Sequence, residues 1–303
     1  MCTSPRKASF NATGSICFSP RKFNKEIEPF QVPCGKCAEC LLERARDWSI
    51  RCLHEAKMHE HSAFVTLTYA DENLPADRKL NHFDFQLFMK RLRKEYGKGI
   101  GFFMCGEYGE QTQRPHYHAC LFGVDFPDKK KIRENRHGDI IWNSEKLTEL
   151  WGLGHTEIGS VTQQSAGYVA RYILKKQKDS PLVPYQKMSR KNAIGKRFIE
   201  KWYKDIFIYA RGSVVLDDGT KTKCPRYYEK WLKDNHPDLW ATYVTQTKQE
   251  NTERLRKKAE EEHAIYIKER DARGLNAYSY ASPLKRKREI LKEKLKQLRR
   301  SFL

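Results

Sequence analysis

The chain has 303 residues, enough to bury a substantial core as one large domain or as a domain with an appendage. Its 58 Lys and Arg residues outnumber 38 Asp and Glu residues, and the net charge of +20 predicts a polyanionic partner. Aromatic residues make up 12% of the chain, which argues against an extended disordered protein. The sequence shows neither a membrane-spanning apolar run nor an apolar leader, so we expect a cytoplasmic protein without a membrane partner.

The N-terminal part is predicted to contain an arm, two helices and a strand. Residues 1–33 carry scattered Pro, Ser, Gly and basic residues and are expected to be irregular. In residues 38–58, apolar side chains recur every three or four positions, which predicts an amphipathic helix. Residues 62–69 (SAFVTLTY) are typical of a strand because they are β-branched and aromatic. A second helix is expected to run from its cap, Asp84, to Glu95.

The middle of the chain favours short strands and helices in alternation. Residues 99–107 and 116–122 are predicted to pair as a hairpin around a polar turn. A short helix (144–151), a strand (155–161) and a longer helix (163–178) are expected to follow. Strands joined by short turns favour antiparallel pairing, so the expected fold class is α+β.

The composition changes towards the C-terminus. A strand at 207–216 is predicted to pair with residues 221–223 around the turn signal Asp218-Gly219, before a helix that Pro225 opens. Beyond about residue 240 the chain is charged and helix-prone. The basic run 285–288 is interpreted either as a solvated helix face or as a segment that tracks DNA.

These changes predict three parts. They are an N-terminal arm (1–33), a main domain (34–240) whose first segment (34–58) is a Cys-rich helix, and a charged helical extension (241–303). We find no G-x-x-x-x-G-K-[ST] phosphate loop, so the sequence gives no reason to expect an ATPase or a helicase.

A candidate metal site lies in the predicted hairpin. Alternation along a strand puts His116 and His118 on one face, where two imidazoles can bind one cation. Glu107 on the preceding strand is the preferred third ligand, and Glu110 in the turn is the alternative. Such a ligand set suits Mg²⁺ or Mn²⁺. The alternative interpretation is two hydrogen-bonded histidines in a strand.

A candidate nucleophile site lies in the predicted helix at 163–178. Tyr168 and Tyr172 are neighbours at i and i+4, and Lys175 and Lys176 lie one turn further on. A phenol with a pKa of about 10 attacks at neutral pH only if a positive charge stabilises its phenolate. The alternative is a tyrosine stripe that packs on the core.

A candidate zinc site lies before the first helix. Cys34, Cys37 and Cys40 are spaced closely enough to bind zinc, but three sulfurs require a fourth ligand. The candidates for that ligand are Cys17, Cys52 and His54. The alternative is a set of reduced thiols at the start of a helix.

The motifs occur in a definite order: an FxTLT strand, a Glu and His-x-His hairpin, and a Tyr-x-x-x-Tyr-x-x-Lys-Lys helix. In this order they resemble the HUH endonucleases that start rolling-circle replication, above all the initiators of microviruses of the gokushovirus kind. The matching segments are Pro33–Cys40 (PCGKCAEC), Gly106–Gly109 (GEYG), Arg114–His118 (RPHYH), Leu121–Gly123 (LFG) and Tyr168–Tyr172 (YVARY).

The resemblance implies roles for the site residues. His116 and His118 would hold a divalent cation, with Glu107 completing the site. Tyr168 and Tyr172 would alternate as nucleophiles, each forming a 5′-phosphotyrosyl bond to DNA and leaving a 3′-hydroxyl primer. The remaining expected residues are Lys175 or Lys176 beside the phenolate or phosphate, and Arg114 and Arg171 against the DNA.

The resemblance also implies a fold and partners. The expected fold is a ferredoxin-like or RRM-like central antiparallel sheet with flanking helices, extended here by basic C-terminal helices. The expected substrate is a single-stranded DNA origin or replicative-form DNA in the cytoplasm of a bacterial host, whose helicase and polymerase would open and copy the duplex. Two other functions remain open: a non-catalytic single-strand-binding protein, and a metal phosphodiesterase that activates water.

Overall fold

The computed structural model describes residues 2, 4–109, 112–135, 138–171, 182–275 and 282–300. The chain divides into two compact units, Met1–Trp202 and Tyr203–Leu303. The domain boundaries predicted from composition, after residues 33 and 240, remain a prediction. Among the described residues, no helix combines the length and the apolar character needed to cross a membrane.

The N-terminal arm contains a small antiparallel sheet instead of the expected irregular chain. Its strands are β1 (Arg6–Phe10), β2 (Ile16–Cys17) and β3 (Phe30–Val32), and β1 lies between the other two. Backbone pairing and a contact between the rings of Phe10 and Phe30, 5.4 Å apart, hold these short strands together. Strands this short carry too little hydrophobic alternation to be recognised in the sequence.

A seven-stranded antiparallel sheet forms the centre of the first unit. Its strands are β4 (Ser62–Tyr69), β5 (Gly101–Tyr108), β6 (Pro115–Phe122), β7 (Lys130–Glu134), β8 (Ile140–Asn143), β9 (Gly154–Gly159) and β10 (Tyr185–Met188). Their order across the sheet is β10-β5-β6-β4-β9-β8-β7. The α+β class and the predicted hairpin are therefore confirmed.

Helices cover both faces of the sheet. On one face, α2 (His82–Tyr96) and α3 (Glu145–Trp151) bury Phe85, Phe88 and Trp151 against the strands. On the other face lie α1 (Ala38–Ala56) and α4 (Gln163–Arg171), which contribute Cys52, Val169 and other small apolar residues to a second core. The unit also contains most of α5 (Lys196–Lys204).

The central strand β6 connects both cores. Tyr117, Ala119 and Leu121 are buried in the core beneath α2 and α3. His116 and His118 point to the opposite face, as the alternation of a strand requires. The predicted split of this strand into an apolar face and a histidine face is thus confirmed.

The second unit is largely helical. Its hairpin pairs β11 (Ser213–Val215) with β12 (Lys221–Lys223) around the predicted turn. Its helices are α6 (Arg226–Asn235), α7 (Pro237–Thr242), α8 (Gln249–Ala272) and α9 (Pro283–Arg300). The predicted strand at 207–216 is partly wrong, because Asp205–Tyr209 forms a π-helical turn. In that turn both Ile206 and Phe207 are buried, whereas adjacent strand residues would face opposite ways.

The start of α2 also differs from the prediction. Asn81, not Asp84, is the cap: its side-chain oxygen accepts a hydrogen bond from the Phe83 backbone N–H at 3.1 Å. Asp84 lies inside the helix, where its carboxylate accepts a hydrogen bond of 2.7 Å from the Tyr69 hydroxyl. Its tertiary partner therefore explains Asp84.

This cap gives a stability prediction. Asn81→Ala removes the acceptor for a backbone donor at the start of α2, so we expect the free energy of unfolding to fall by about 1 kcal/mol. Asn81→Asp, which keeps an acceptor, should unfold near the wild-type denaturant concentration. Urea unfolding followed by circular dichroism would measure both variants, and equal midpoints for Asn81→Ala and the wild type would contradict the assignment.

Candidate active site

The register of the β5–β6 hairpin positions the candidate metal ligands. Glu107 lies directly opposite His116, and Cys105 lies opposite His118. Because residues two apart on a strand share a face, all three ligand side chains meet on the face covered by α1 and α4. Local pairing alone thus assembles the group that the sequence predicts.

The three side chains converge on one point. Glu107 Oε1 lies 2.9 Å from His116 Nε2 and 2.9 Å from His118 Nε2. The Glu107 side chain is only 3% exposed, and those of His116 and His118 are 16% and 12% exposed. Two imidazole nitrogens and a carboxylate oxygen in a sheltered pocket form a donor set that fits a divalent cation.

The electrostatics of the group favour its metal-binding protonation state. Burial raises the pKa of Glu107, but hydrogen bonds from His116 and His118 outweigh burial and lower the pKa to about 2. Burial lowers the pKa of His118 below its usual value. Glu107 is therefore anionic near neutral pH and His118 is a neutral imidazole, the forms in which these groups bind metal.

Hydrogen bonds behind the ligands fix the imidazole rings. His116 Nδ1 lies 3.0 Å from the Arg114 carbonyl oxygen, to which it donates, and this orients Nε2 towards Glu107. His118 Nδ1 forms a 2.9 Å hydrogen bond with Thr66 Oγ1, and Phe64 stacks on the His118 ring at 5.7 Å. Such outer partners set the orientation and basicity of metal-binding histidines.

The role of Thr66 was not foreseen, although the FxTLT strand that carries it was recognised. Thr66 is paired with His118 across the β4–β6 ladder, and Thr68 is paired with His116. A signal existed in the alternation, which puts both threonines on one face of β4. The strand order that brings this face beside the histidines could not be read from the sequence.

Helix α4 brings a candidate nucleophile to the same point. The Tyr168 hydroxyl donates a hydrogen bond of 2.7 Å to Glu107 Oε1. The Tyr168 ring also meets the His118 ring edge-on, with 4.9 Å between the centroids. A phenolic oxygen and the candidate cation ligands are therefore close enough to act on one phosphate group.

Contacts with α1 hold α4 in this position. The Ser49 hydroxyl donates to the Gln163 carbonyl at 3.1 Å, at the start of α4. A side chain at Gly167 would approach the Arg171 guanidinium to 3.1 Å and Ser49 Oγ to 3.7 Å. The small residue in the helix thus permits close approach of α1 and passage of the arginine.

The two candidate DNA-binding arginines have different surroundings. Arg114 donates to the Tyr69 carbonyl at 2.7 Å and forms an ion pair with Asp71. Arg171 lies against Gly167 beside the candidate site, where burial lowers its pKa. An arginine nevertheless stays charged at physiological pH. Both remain predicted DNA contacts.

Four candidate residues lie outside the described part of the chain. They are Glu110, Tyr172, Lys175 and Lys176. The preference for Glu107 over Glu110 therefore rests on the geometry of Glu107 alone.

The cysteine motif gains a fourth member from the start of the chain. The sulfurs of Cys34, Cys37 and Cys40 lie together with that of Cys2. The fourth-ligand candidates considered from sequence lie elsewhere: Cys17 is in β2, Cys52 is in the core beneath α1, and His54 stacks on Phe198 at 3.8 Å. Two separate ligand groups thus exist within the first unit.

Comparison with known proteins agrees with this arrangement. Residues 62–177 match a family model described as a replication-associated protein of the ORF2 type. This range begins at β4 and includes the β5–β6 hairpin and α4, so it contains the candidate ligands and both tyrosines of the sequence motif.

Three phage proteins resemble the chain over most of its length. Replication-associated protein VP4 of Bdellovibrio phage phiMH2K is 41% identical and covers 98% of each chain. Replication-associated protein ORF2 of Spiroplasma virus 4 is 33% identical over 74% of each chain. Replication-associated protein ORF4 of Chlamydia phage 1 is 31% identical over 67% of this chain and 54% of the relative. No solved structure matches the chain. The chain belongs to the replication-associated proteins of single-stranded DNA phages.

Proposed function

We propose that this protein starts rolling-circle replication of a phage genome by nicking single-stranded DNA with a tyrosine. The observation that carries the proposal is the Tyr168 hydroxyl, 2.7 Å from the carboxylate that meets both histidines. The antiparallel sheet with helices on both faces supports assignment to the HUH endonuclease fold.

The chemistry follows from the positions of these side chains. His116, His118 and Glu107 would hold Mg²⁺ or Mn²⁺, which polarises a phosphate when bound. Tyr168 Oη forms a bond to phosphorus while the bond from phosphorus to the 3′ oxygen breaks. The phenolic proton, directed at Glu107 Oε1, leaves, and the 3′ oxygen takes up a proton to become the primer hydroxyl. The 5′ phosphate stays on the protein.

Rejoining uses the same bond in reverse. The energy of the phosphodiester is kept in the phosphotyrosyl bond, so a 3′-hydroxyl that attacks this bond closes a circle. We propose Tyr172 as the second nucleophile and Lys175 or Lys176 as the group that steadies the phenolate, from the sequence motif. Arg171, on the same helix as Tyr168, is the proposed phosphate contact nearest the site.

The charge of the chain supports a DNA substrate. A net charge of +20 favours binding to a polyanion and release of its counterions. The absence of a phosphate-loop motif from the sequence leads us to propose that a helicase and a polymerase of the host cell open and copy the duplex.

Covalent capture of DNA tests the nucleophile. We expect labelled oligonucleotides that tile the viral strand to give a protease-sensitive adduct with the wild-type protein and Mn²⁺. The double variant Tyr168→Phe/Tyr172→Phe should give none, because both phenolic oxygens are gone. Tyr209→Phe is the matched control, since this side chain is 76% exposed, and it should retain the adduct. Denaturing gels measure all three proteins.

Two outcomes of that experiment contradict the proposal. Cleavage without an adduct would indicate a metal phosphodiesterase that activates water. Binding without cleavage would indicate a non-catalytic single-strand-binding protein.

Ligand substitution tests the cation site. We expect His118→Ala to lose Mn²⁺ binding in electron paramagnetic resonance titrations, because the variant removes one of three donors. His155→Ala is the control, since His155 is an exposed histidine on the neighbouring strand β9. Equal loss in both variants would exclude a specific site.

A conservative change behind His118 is a sharper test. Thr66→Val keeps the shape of the side chain but removes the hydrogen bond to His118 Nδ1, so we expect Mn²⁺ affinity to fall about 10- to 100-fold. Thr68→Val is the matched control on the same strand and face. Isothermal titration would measure both, and similar affinities for the two variants would contradict the orienting role of Thr66.

A further inference from the structure

Four cysteine sulfurs lie together at the N-terminal end of α1. The Sγ atoms of Cys2, Cys34, Cys37 and Cys40 are all within 4.8 Å of one another. The Sγ atoms of Cys2 and Cys37 are 3.7 Å apart. Bonded disulfide sulfurs are about 2.05 Å apart. Four thiolates around a tetrahedral zinc, each about 2.3 Å from the metal, are about 3.8 Å apart. The observed separation matches the zinc geometry.

Backbone donors surround these sulfurs. The N–H groups of Lys36 and Cys37 donate to Cys34 Sγ at 3.4 and 3.3 Å, and the N–H of Cys34 donates to Cys2 Sγ at 3.2 Å. Gly35, with φ of +74°, forms the tight turn that aims these N–H groups inward. Hydrogen bonds of this kind stabilise negative charge on sulfur, as a metal thiolate requires.

The two ends of the motif differ in acidity. Backbone hydrogen bonds from Lys36 and Cys37 lower the pKa of Cys34. Burial raises the pKa of the Cys40 thiol to about 12, so a bound metal must displace its proton. Cys37 is the N-cap of α1 and Cys40 lies in its first turn, where the helix dipole favours negative charge.

We propose that Cys2, Cys34, Cys37 and Cys40 bind one zinc ion that fastens the start of the chain to α1. Soft thiolates select zinc, whereas the imidazole–carboxylate group of the candidate active site suits a harder ion. A cubane iron–sulfur cluster fits less well, because each thiolate then binds a different iron and the sulfurs lie farther apart. The two sites therefore bind different metals independently.

The position of the zinc suggests what it stabilises. The loop closed between Cys2 and Cys34 contains the whole β1–β3 sheet, which has few buried side chains of its own. The other end of the site is α1, whose Ser49 contacts the helix that carries Tyr168. The zinc thus holds the N-terminal sheet on the helix that supports the candidate nucleophile helix.

Metal analysis of the full-length protein tests this inference. We expect protein purified without oxygen or chelator to contain about one zinc per chain. Cys2→Ser and Cys37→Ser should lose that zinc, and Cys17→Ser, a cysteine outside the cluster, should keep it. Cobalt added to zinc-free wild-type protein should give the intense visible absorption of a tetrahedral tetrathiolate centre, a readout that needs no mutation.

Each contrary result is distinct. Wild-type protein that lacks zinc and gives no cobalt spectrum would overturn the site, and iron with acid-labile sulfide would replace it by a cluster. Full zinc in Cys2→Ser would exclude Cys2 as the fourth ligand. Glu107→Gln should keep its zinc whatever happens to nicking, so failure of the zinc site and failure of the proposed nuclease are separable.

Discussion

One buried carboxylate holds the candidate active site together. Glu107 Oε1 lies within 2.9 Å of both histidine Nε2 atoms and accepts the Tyr168 hydroxyl at 2.7 Å. Two adjacent strands and a helix from later in the chain therefore meet at one oxygen atom. A carboxylate so deeply buried would be costly alone, and its imidazole partners offset that cost. The two cores on either side of the sheet keep this point rigid.

The part of this site that depends on local pairing could be predicted from the sequence. Strand alternation puts His116 and His118 on one face, and a hairpin with a short turn brings Glu107 beside them. The helical spacing of α4 is likewise local. The meeting of Tyr168 with Glu107 depends on how α4 packs on the sheet, and the sequence suggested it only through resemblance to a known family.

Features set by tertiary contacts were missed. The alternation in β4 does not reveal which strand lies beside it, so Thr66 could not be assigned to His118. Asp84 resembled a helix cap, but its partner is Tyr69 from a strand. Cys2 is 32 residues from the nearest member of the cysteine motif, and only folding of the intervening sheet brings it to Cys34. Spacing rules detect ligands that are near in sequence, not ligands that the fold delivers.

The central claim is that a tyrosine of α4 attacks the DNA at the imidazole–carboxylate group. Mass spectrometry of the covalent protein–DNA product, after proteolysis and nuclease trimming, tests it most directly. The account predicts a phosphonucleotide on the peptide that carries Tyr168 and Tyr172, joined through a phenolic oxygen to a 5′ phosphate. A modified residue anywhere else in the chain, or a 3′-phosphate linkage, would contradict it.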